Sequence, residues 1–269
     1  MKKIVFKRLS PRICINCFGF IFLLFTLYNN VVCQTANNDN TLSNEEIYYE
    51  KGCHKFSEGA YTQALYWFEK GIEQGPLYEE NYYGASTIYF LSTETVWGVM
   101  YGELFMILSQ NDSLKAEVSK KLFEAYFNAF TLFKGKATAD FNNDIIVYSD
   151  SFERHNKFPD TFNTLMSNAA NNIYFIDISS LITIRQRFLS LIKSKASDFM
   201  NPLFAYWDNI IASGNWQAYN YWLFAYGNKS ESATWARENK QHWNKFLSWL
   251  DKNPIPLSET DKFSRYLME

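Results

Sequence analysis

Residues of the kinds that catalyse reactions or bind metals are few in this chain, and their spacing favours structural roles. Only three histidines occur, His54, His155 and His242, and none has a second ligand at the spacing of a metal site. The chain also lacks a glycine-rich phosphate loop and a nucleophile elbow. We therefore expect no catalytic residues, no metal and no cofactor, and we predict that the protein is not an enzyme.

Two glycines on one helical face form the most specific local pattern. Gly98 and Gly102 lie four residues apart, and each costs a helix about 1 kcal/mol relative to alanine. A structural interpretation is a close helix–helix contact, with Trp97 or Phe105 lying over the gap. In a functional interpretation the glycines make room for a ligand. The residues at the edge of that ligand site would be Tyr101 and Glu103.

Aromatic residues concentrate near the C-terminus, where residues 204–249 hold six of the eight tryptophans. Several of these aromatic residues share one short helical segment but occupy different faces, so they cannot all point into a core. We expect some of them to face solvent, where exposed aromatic rings bind proteins or stack on sugars. The candidate binding residues in this segment are Trp216, Tyr219 and Tyr226, with Tyr221 beside them.

The composition limits the folds that can hold these residues. The chain has 269 residues, of which 47% are hydrophobic and 19% aromatic, so it can bury a substantial core. With 11 glycines and 6 prolines it is poor in turn formers, which favours an all-α fold over an all-β one. The formal charge of −2 argues against nucleic acid as a partner.

The first 33 residues differ from the rest and resemble a secretory signal. Five basic residues precede an apolar run over residues 13–28, as in a signal peptide cleaved after Cys33. A lipidated Cys33 and a retained N-terminal anchor are the two alternatives, and only these would bring the chain into contact with a membrane. In each case we expect export to the periplasm or envelope of a bacterium, or secretion. Removing five of the 26 basic residues leaves 21 against 28 acidic ones, a formal charge of −7, with Cys53 as the remaining cysteine.

Helical periodicity dominates the remainder of the chain after a flexible leader at residues 34–43. Residues 173–178 are rich in β-branched side chains, but we favour a helix there, and we expect residues 254–269 to be a loosely attached tail. The helices are predicted near residues 44–58, 61–75, 78–91, 94–109, 113–134, 145–155, 159–174, 178–195, 202–213, 215–226 and 231–252.

Residues 51–76 resemble a tetratricopeptide repeat (TPR), a helix–turn–helix unit of about 34 residues. In this pattern a small residue on the first helix receives an aromatic side chain from the second. A second unit follows in phase to residue 110, with Gly98 and Gly102 on its second helix. Residues 111–253 would then form further helical hairpins packed on the repeats. The residues that carry the resemblance are Gly52, Gly59, Tyr61, Ala64, Phe68 and Pro76.

The resemblance implies an α-solenoid of stacked antiparallel helix pairs, whose concave face binds peptides or proteins. It implies no chemistry, because a fold does not determine a function. We therefore expect an exported helical-repeat module that binds a protein or an extended peptide in the cell envelope. The alternative is a protein that binds a glycan or another small ligand through exposed tryptophan and tyrosine, and an enzyme is the third possibility.

Overall fold

Eleven α-helices and one β-hairpin make up the part of the chain that the computed structural model describes, residues 42–142 and 157–268. The all-α prediction is thus confirmed, while residues 1–33 and the predicted helix at 145–155 lie outside the described residues. None of the described helices is both long and apolar enough to cross a membrane. The helices are α1 Asn44–Ser57, α2 Tyr61–Gln74, α3 Glu79–Tyr89, α4 Thr95–Leu108, α5 Asp112–Ala129, α6 Lys157–Ala169, α7 Ile178–Lys195, α8 Pro202–Ala212, α9 Trp216–Leu223, α10 Lys229–Glu238 and α11 Lys240–Lys252.

The first four helices form two stacked antiparallel pairs, α1 with α2 and α3 with α4. The backbone N–H of Ser43 donates to Glu46 Oε2 at 2.8 Å, one of the two hydrogen bonds of a capping box at the start of α1. Gly59 lies in the middle of the connection between α1 and α2 with a φ of 74°, a left-handed conformation that glycine adopts without strain. The predicted helix pairs over residues 44–110 are confirmed as helix pairs.

One aromatic ring, that of Phe68, joins the first three helices. A Cβ atom built on Gly52 of α1 would lie 2.4 Å from the Phe68 ring, and one on Gly84 of α3 would lie 2.6 Å from it. Both distances are below contact, so the ring occupies the space that two missing side chains leave. The predicted packing of a small residue against an aromatic one is therefore present.

We expect the substitution Gly52→Ala to lower the free energy of unfolding by about 1–3 kcal/mol, although alanine is the better helix former by about 1 kcal/mol. The Phe68 ring has little room to move away, because Gly84 of α3 also lies against it. Urea denaturation measures the effect. In a Phe68→Leu background the smaller side chain leaves room, so the penalty of Gly52→Ala should shrink there. A stabilising Gly52→Ala would contradict the tight packing.

Gly98 and Gly102 permit a close contact between α4 and the end of α3. The residue that fills the space beside the two glycines is not one of the two predicted residues. A Cβ on Gly98 would lie 2.8 Å from the backbone nitrogen of Phe90, and one on Gly102 would lie 2.9 Å from the Phe90 ring. Phe90 ends α3, so α4 passes directly beneath the end of its partner helix. The choice of Trp97 or Phe105 for this position was wrong, and Phe90 occupies the space that a ligand would need.

The predicted helix over 113–134 is wrong beyond residue 129, where a β-hairpin begins. Strand β1, Phe130–Phe133, pairs antiparallel with β2, Lys136–Ala139. Lys134 and Gly135 form the two-residue turn, with φ angles of 47° and 76°. Two consecutive positive φ angles match the twist of a hairpin, which explains why glycine follows the aromatic and β-branched residues here.

Helix α6 covers one edge of this hairpin with polar side chains. Asn163 Oδ1, Ser167 Oγ and Asn171 Oδ1 accept hydrogen bonds from the backbone N–H groups of Phe141, Ala139 and Ala137, at 2.7–3.3 Å. Asn163 and Ser167, four residues apart, lie on one face of α6, and Asn171 lies in the turn that follows the helix. They accept hydrogen bonds from backbone N–H groups that, in an isolated two-stranded sheet, would bond only to water.

Two further predictions in the C-terminal half are corrected. Residues 170–177 form a turn and a loop, neither the favoured helix nor a strand. The single helix predicted over 231–252 is two helices, which separate at Asn239. The Asn239 side chain donates to the carbonyl of Trp235 at 3.0 Å, and this bond competes with the helical pattern.

The C-terminal segment is not the loosely attached tail that its composition suggested. Ile255, Leu257, Phe263 and Met268 are buried. The segment has little regular structure until a 3-10 turn at Arg265–Met268, so side-chain contacts hold it in place. It belongs to the compact unit that begins at Leu42.

Candidate functional site

An ion pair in the core links four helices. Glu103 of α4 and Arg185 of α7 are both fully buried, and Arg185 Nη2 donates to Glu103 Oε1. The same oxygen accepts from Trp207 Nε1 of α8 at 2.8 Å and from the Tyr219 hydroxyl of α9 at 2.6 Å. One carboxylate oxygen thus holds the N-terminal helix pairs to the C-terminal helices.

Aromatic rings surround the guanidinium of Arg185. Its Cζ lies 4.3 Å from the ring centroid of Trp207 and 5.1 Å from that of Trp216, which are cation–π distances. Burial acts to lower the pKa of Arg185, but Glu103 together with Tyr126 and Tyr219 outweighs it and the net shift is upward. Burial, reinforced by Glu103, raises the pKa of Tyr219. Arg185 therefore stays charged and Tyr219 stays neutral at neutral pH.

The geometry of the Glu103–Arg185 pair indicates a role in holding the helices together. Neither side chain reaches solvent, so a substrate has no access to the carboxylate. In the described ranges, Glu103 Oε2 and Arg185 Nε have no hydrogen-bond partner. Likewise, the described residues contain no group of three or more metal-ligating side chains. The arrangement supplies cohesion between helices rather than acid–base chemistry.

A second buried carboxylate, Glu69 of α2, attaches the C-terminal segment. Its Oε1 accepts from the hydroxyls of Tyr89 and Tyr101 at 3.0 and 3.1 Å and from Nε of Arg265 at 3.1 Å. The backbone N–H of Arg265 donates in turn to the Tyr101 hydroxyl at 3.1 Å. The ring of Phe263 lies 5.3 Å from that of Tyr101. The chain end is thus bound to the first helix pairs through specific polar contacts.

An open groove with a volume of about 440 Å³ lies between the start of α5 and helices α9 to α11. We call it the aromatic groove. Trp222 and Trp243 are half-buried, Tyr226 is 45% exposed, and the Phe246 ring packs behind both tryptophans. The side chains that matter most to its chemistry are Met106, Lys115, Trp222, Tyr226, Lys229 and Trp243.

Two lysines give the aromatic groove a cationic character. The Nζ of Lys115 lies 5.1 Å from the Trp222 ring centroid, and the Nζ of Lys229 lies 5.4 Å from that of Tyr226. Burial lowers the pKa of Lys115, and Asp112 opposes the shift. Among the described residues no carboxylate lies within ion-pair distance of either ammonium, so the charge is available to an anionic ligand.

The five predicted binding residues lie in three different environments. Glu103, Trp216 and Tyr219 meet at the buried ion pair, where Trp216 Nε1 donates to the carbonyl of Ile182 at 3.1 Å. Tyr101 belongs to the Glu69 centre. These four side chains are buried and contact one another or other core residues, and Tyr226 alone among the five faces solvent.

Sequence reasoning missed Arg185, Glu69 and Lys115. Arg185 shares one helical face with Leu181, Phe188 and Ile192, and Glu69 lies on an apolar face of α2. A charged residue on an apolar helical face therefore signals a buried partner, and this signal was present in the sequence. The sequence around Lys115 gives no such signal, because the position of this lysine over Trp222 depends on how α5 packs against α9.

No family model, curated protein or solved structure matches the chain.

Proposed function

We propose that this protein is an exported module that binds an extended segment of another protein in the aromatic groove. The single observation that supports this most strongly is the groove itself, an open site where two half-buried tryptophans and an exposed tyrosine remain outside the core. Large aromatic rings at the edge of solvent are the residues that contribute most to protein interfaces.

The chemistry of the groove favours a particular kind of segment. Lys115 and Lys229 supply positive charge above aromatic faces, and Asp112 is the acidic residue at the rim. A carboxylate from a partner would gain most from Lys115, whose ammonium is partly removed from water. The preferred ligand is therefore a peptide that combines an acidic residue with aromatic or aliphatic neighbours.

We further propose that the first two helix pairs are TPR-like repeats serving as the scaffold. Helices α1 and α3 begin at residues 44 and 79, and α2 and α4 begin at residues 61 and 95, so the pair recurs after 35 and 34 residues. These spacings support a repeat of this type. Helix α5 begins where a third pair would start, but the β-hairpin replaces its second helix, so α5 acts as a cap.

The C-terminal segment supports the idea that this array binds extended chains. Residues 253–264 have almost no regular structure, yet Lys262 donates to the carbonyl of Glu73 at 2.9 Å and Phe263 packs on Tyr101. The helices thus bind one extended segment within the molecule by side-chain anchors and hydrogen bonds. A partner segment in the aromatic groove would be held by the same kinds of contact.

The proposed location is the bacterial envelope or the exterior, after removal of residues 1–33. This part of the proposal rests on the sequence of the first 33 residues, a basic start and an apolar run. Glycan binding is the alternative function, and the exposed face of Tyr226 favours it. The groove offers few side chains that accept hydrogen bonds from sugar hydroxyls, and for this reason we place peptide first.

Peptide selection with the chain 34–269 tests the proposed function. We expect peptides that carry an acidic residue beside an aromatic one to be enriched, and Tyr226→Ala to weaken their binding about tenfold by removing an interface aromatic. Lys115→Gln should reduce the preference for acidic peptides. Affinities come from fluorescence anisotropy with labelled peptides.

The matched control is Tyr66→Ala, which removes an equally exposed tyrosine from the outer side of α2. Its affinities should equal those of the parent. Selected peptides that bind Tyr226→Ala as tightly as the parent would refute the groove as the site. Binding on a glycan array together with failed peptide selection would favour the alternative function.

A further inference from the structure

The three most exposed large apolar side chains in the described part of the chain lie on two loops that contact each other. Tyr174, Phe133 and Phe175 are 72%, 68% and 67% exposed. Phe133 precedes the hairpin turn, and Tyr174 and Phe175 lie in the loop between α6 and α7. Ile173 and Ile176, on either side of the two aromatic residues, are half-buried. We call this set the aromatic tip.

Hydrogen bonds join the two loops of the aromatic tip. The backbone N–H of Asn172 donates to the carbonyl of Gly135 at 2.8 Å, and Ala137 N–H donates to Asn171 Oδ1 at 3.3 Å. Arg187 Nη1 donates to the carbonyls of Ala169 and Asn171. The exposed rings are therefore presented on a backbone that is fixed by contacts on both sides.

The charges around the aromatic tip are positive. Lys134 and Lys136 are exposed on the hairpin turn, and the Nζ of Lys134 lies 5.2 Å from the Phe133 ring centroid. Two acidic residues, Asp177 and Glu231, lie where the loop meets α7. The Asp177 carboxylate accepts from the backbone N–H of Ser180 at 2.7 Å, and the Glu231 carboxylate accepts from those of Ile178 and Ser179 at 3.1 Å, so both act as caps of that helix. Asp140 lies beyond the opposite end of β2. The aromatic tip thus combines protruding apolar rings with two exposed lysines.

We propose that the aromatic tip docks this protein on an anionic lipid surface. Phe133 and Phe175 would enter the boundary between head groups and acyl chains, and Tyr174 would lie at head-group level, where tyrosine concentrates in membrane proteins. Lys134 and Lys136 would meet the lipid phosphates, which attract nearby lysines. The complementarity of charge favours lipid over a second copy of this acidic chain. This contact is separate from the aromatic groove and from any role of residues 1–33.

Cosedimentation with lipid vesicles tests the proposal. The chain 34–269 is used, because residues from Leu42 onward form a compact unit and residues 1–28 would themselves enter a bilayer. We expect binding to phosphatidylethanolamine vesicles that contain phosphatidylglycerol, and weaker binding without the anionic lipid or at high salt. The double variant Phe133→Ser/Phe175→Ser should bind roughly a hundredfold more weakly, about tenfold for each ring.

Lys134→Gln/Lys136→Gln should lose the preference for anionic vesicles while keeping part of the affinity. Tyr66→Ser removes an exposed ring elsewhere and should bind like the parent, and unchanged thermal unfolding would show that each variant is folded. Absence of parent binding to anionic vesicles, or equal binding by Phe133→Ser/Phe175→Ser, would overturn the proposal. The proposal would also be overturned if the double variant changed only self-association, as measured by sedimentation velocity. The aromatic tip would then bind a second copy of the chain and not a lipid surface.

Discussion

The substitution Arg185→Met is expected to lower the free energy of unfolding by about 3–5 kcal/mol, because it leaves the Glu103 carboxylate buried without its countercharge. Trp207 and Tyr219 would still donate to Glu103, but two neutral donors do not replace a guanidinium. The measurement is guanidinium chloride denaturation followed by circular dichroism. A loss of this size is a large share of the stability of a typical domain.

Lys193→Met provides a matched control on the same helix. Lys193 also forms an ion pair with a residue of α8, Asp208, at 2.9 Å, but both side chains are largely exposed. Exposed pairs of this kind contribute about 0–1 kcal/mol. An Arg185→Met variant no less stable than Lys193→Met would contradict the structural role of the buried pair.

The double variant Glu103→Leu/Arg185→Met shows whether the stability loss of Arg185→Met comes from the unpaired Glu103 charge or from lost packing. Removing both charges leaves no buried ion, so the double variant should be more stable than Arg185→Met alone. Because Glu103 Oε2 and Arg185 Nε have no partner among the described residues, the native pair is itself incompletely satisfied. A double variant that is the least stable of the three would show that shape rather than charge dominates this site.

The second large effect is expected at the chain end, where Arg265→Ala should lower the free energy of unfolding by about 2–4 kcal/mol. Glu69 would keep the hydroxyls of Tyr89 and Tyr101 but lose both contacts with the guanidinium. The loss should be accompanied by faster hydrogen exchange at residues 255–268. Denaturation and exchange mass spectrometry measure the two effects.

Arg237→Ala is the control for Arg265→Ala, since Arg237 is an exposed arginine in the last turn of α10. It should change stability by less than about 0.5 kcal/mol. If Arg265→Ala leaves exchange at residues 255–268 unchanged, the segment is held by its apolar residues and the Glu69 contact is dispensable.

Periodicity predicted most helices, because an apolar face repeats along α1 to α4 whatever that face contacts. The end of α5 was harder to predict, since the same residues, Phe130 to Phe133, suit a buried helix or a strand. Their state depends on α6 and the turn after it, where Ser167 and Asn171 accept hydrogen bonds from β2 and Asn163 accepts one from Phe141 just beyond it. Those partners follow 22–34 residues later, beyond the reach of local pattern reasoning.

The candidate site was less predictable than the fold for the same reason. Tyr226 was identified because its segment has more aromatic residues than a helix can bury. Glu103 stood out in an otherwise apolar helix, but its partner Arg185 lies 82 residues away, and the sequence does not show that the two meet. The C-terminal segment was misjudged because its few apolar residues have no period, although Ile255, Leu257, Phe263 and Met268 are each buried.

The contact between Glu69 and Arg265 spans 196 residues, and this separation has a consequence for the order of folding. A ribosome makes Glu69 long before Arg265, so the first helix pairs can begin to pack but cannot complete their polar core until the last residues are available. The export that we propose would benefit from this delay, because an exported chain crosses the membrane before it folds. Packing of the N-terminal helix pairs is thereby coupled to synthesis of the segment that holds Arg265.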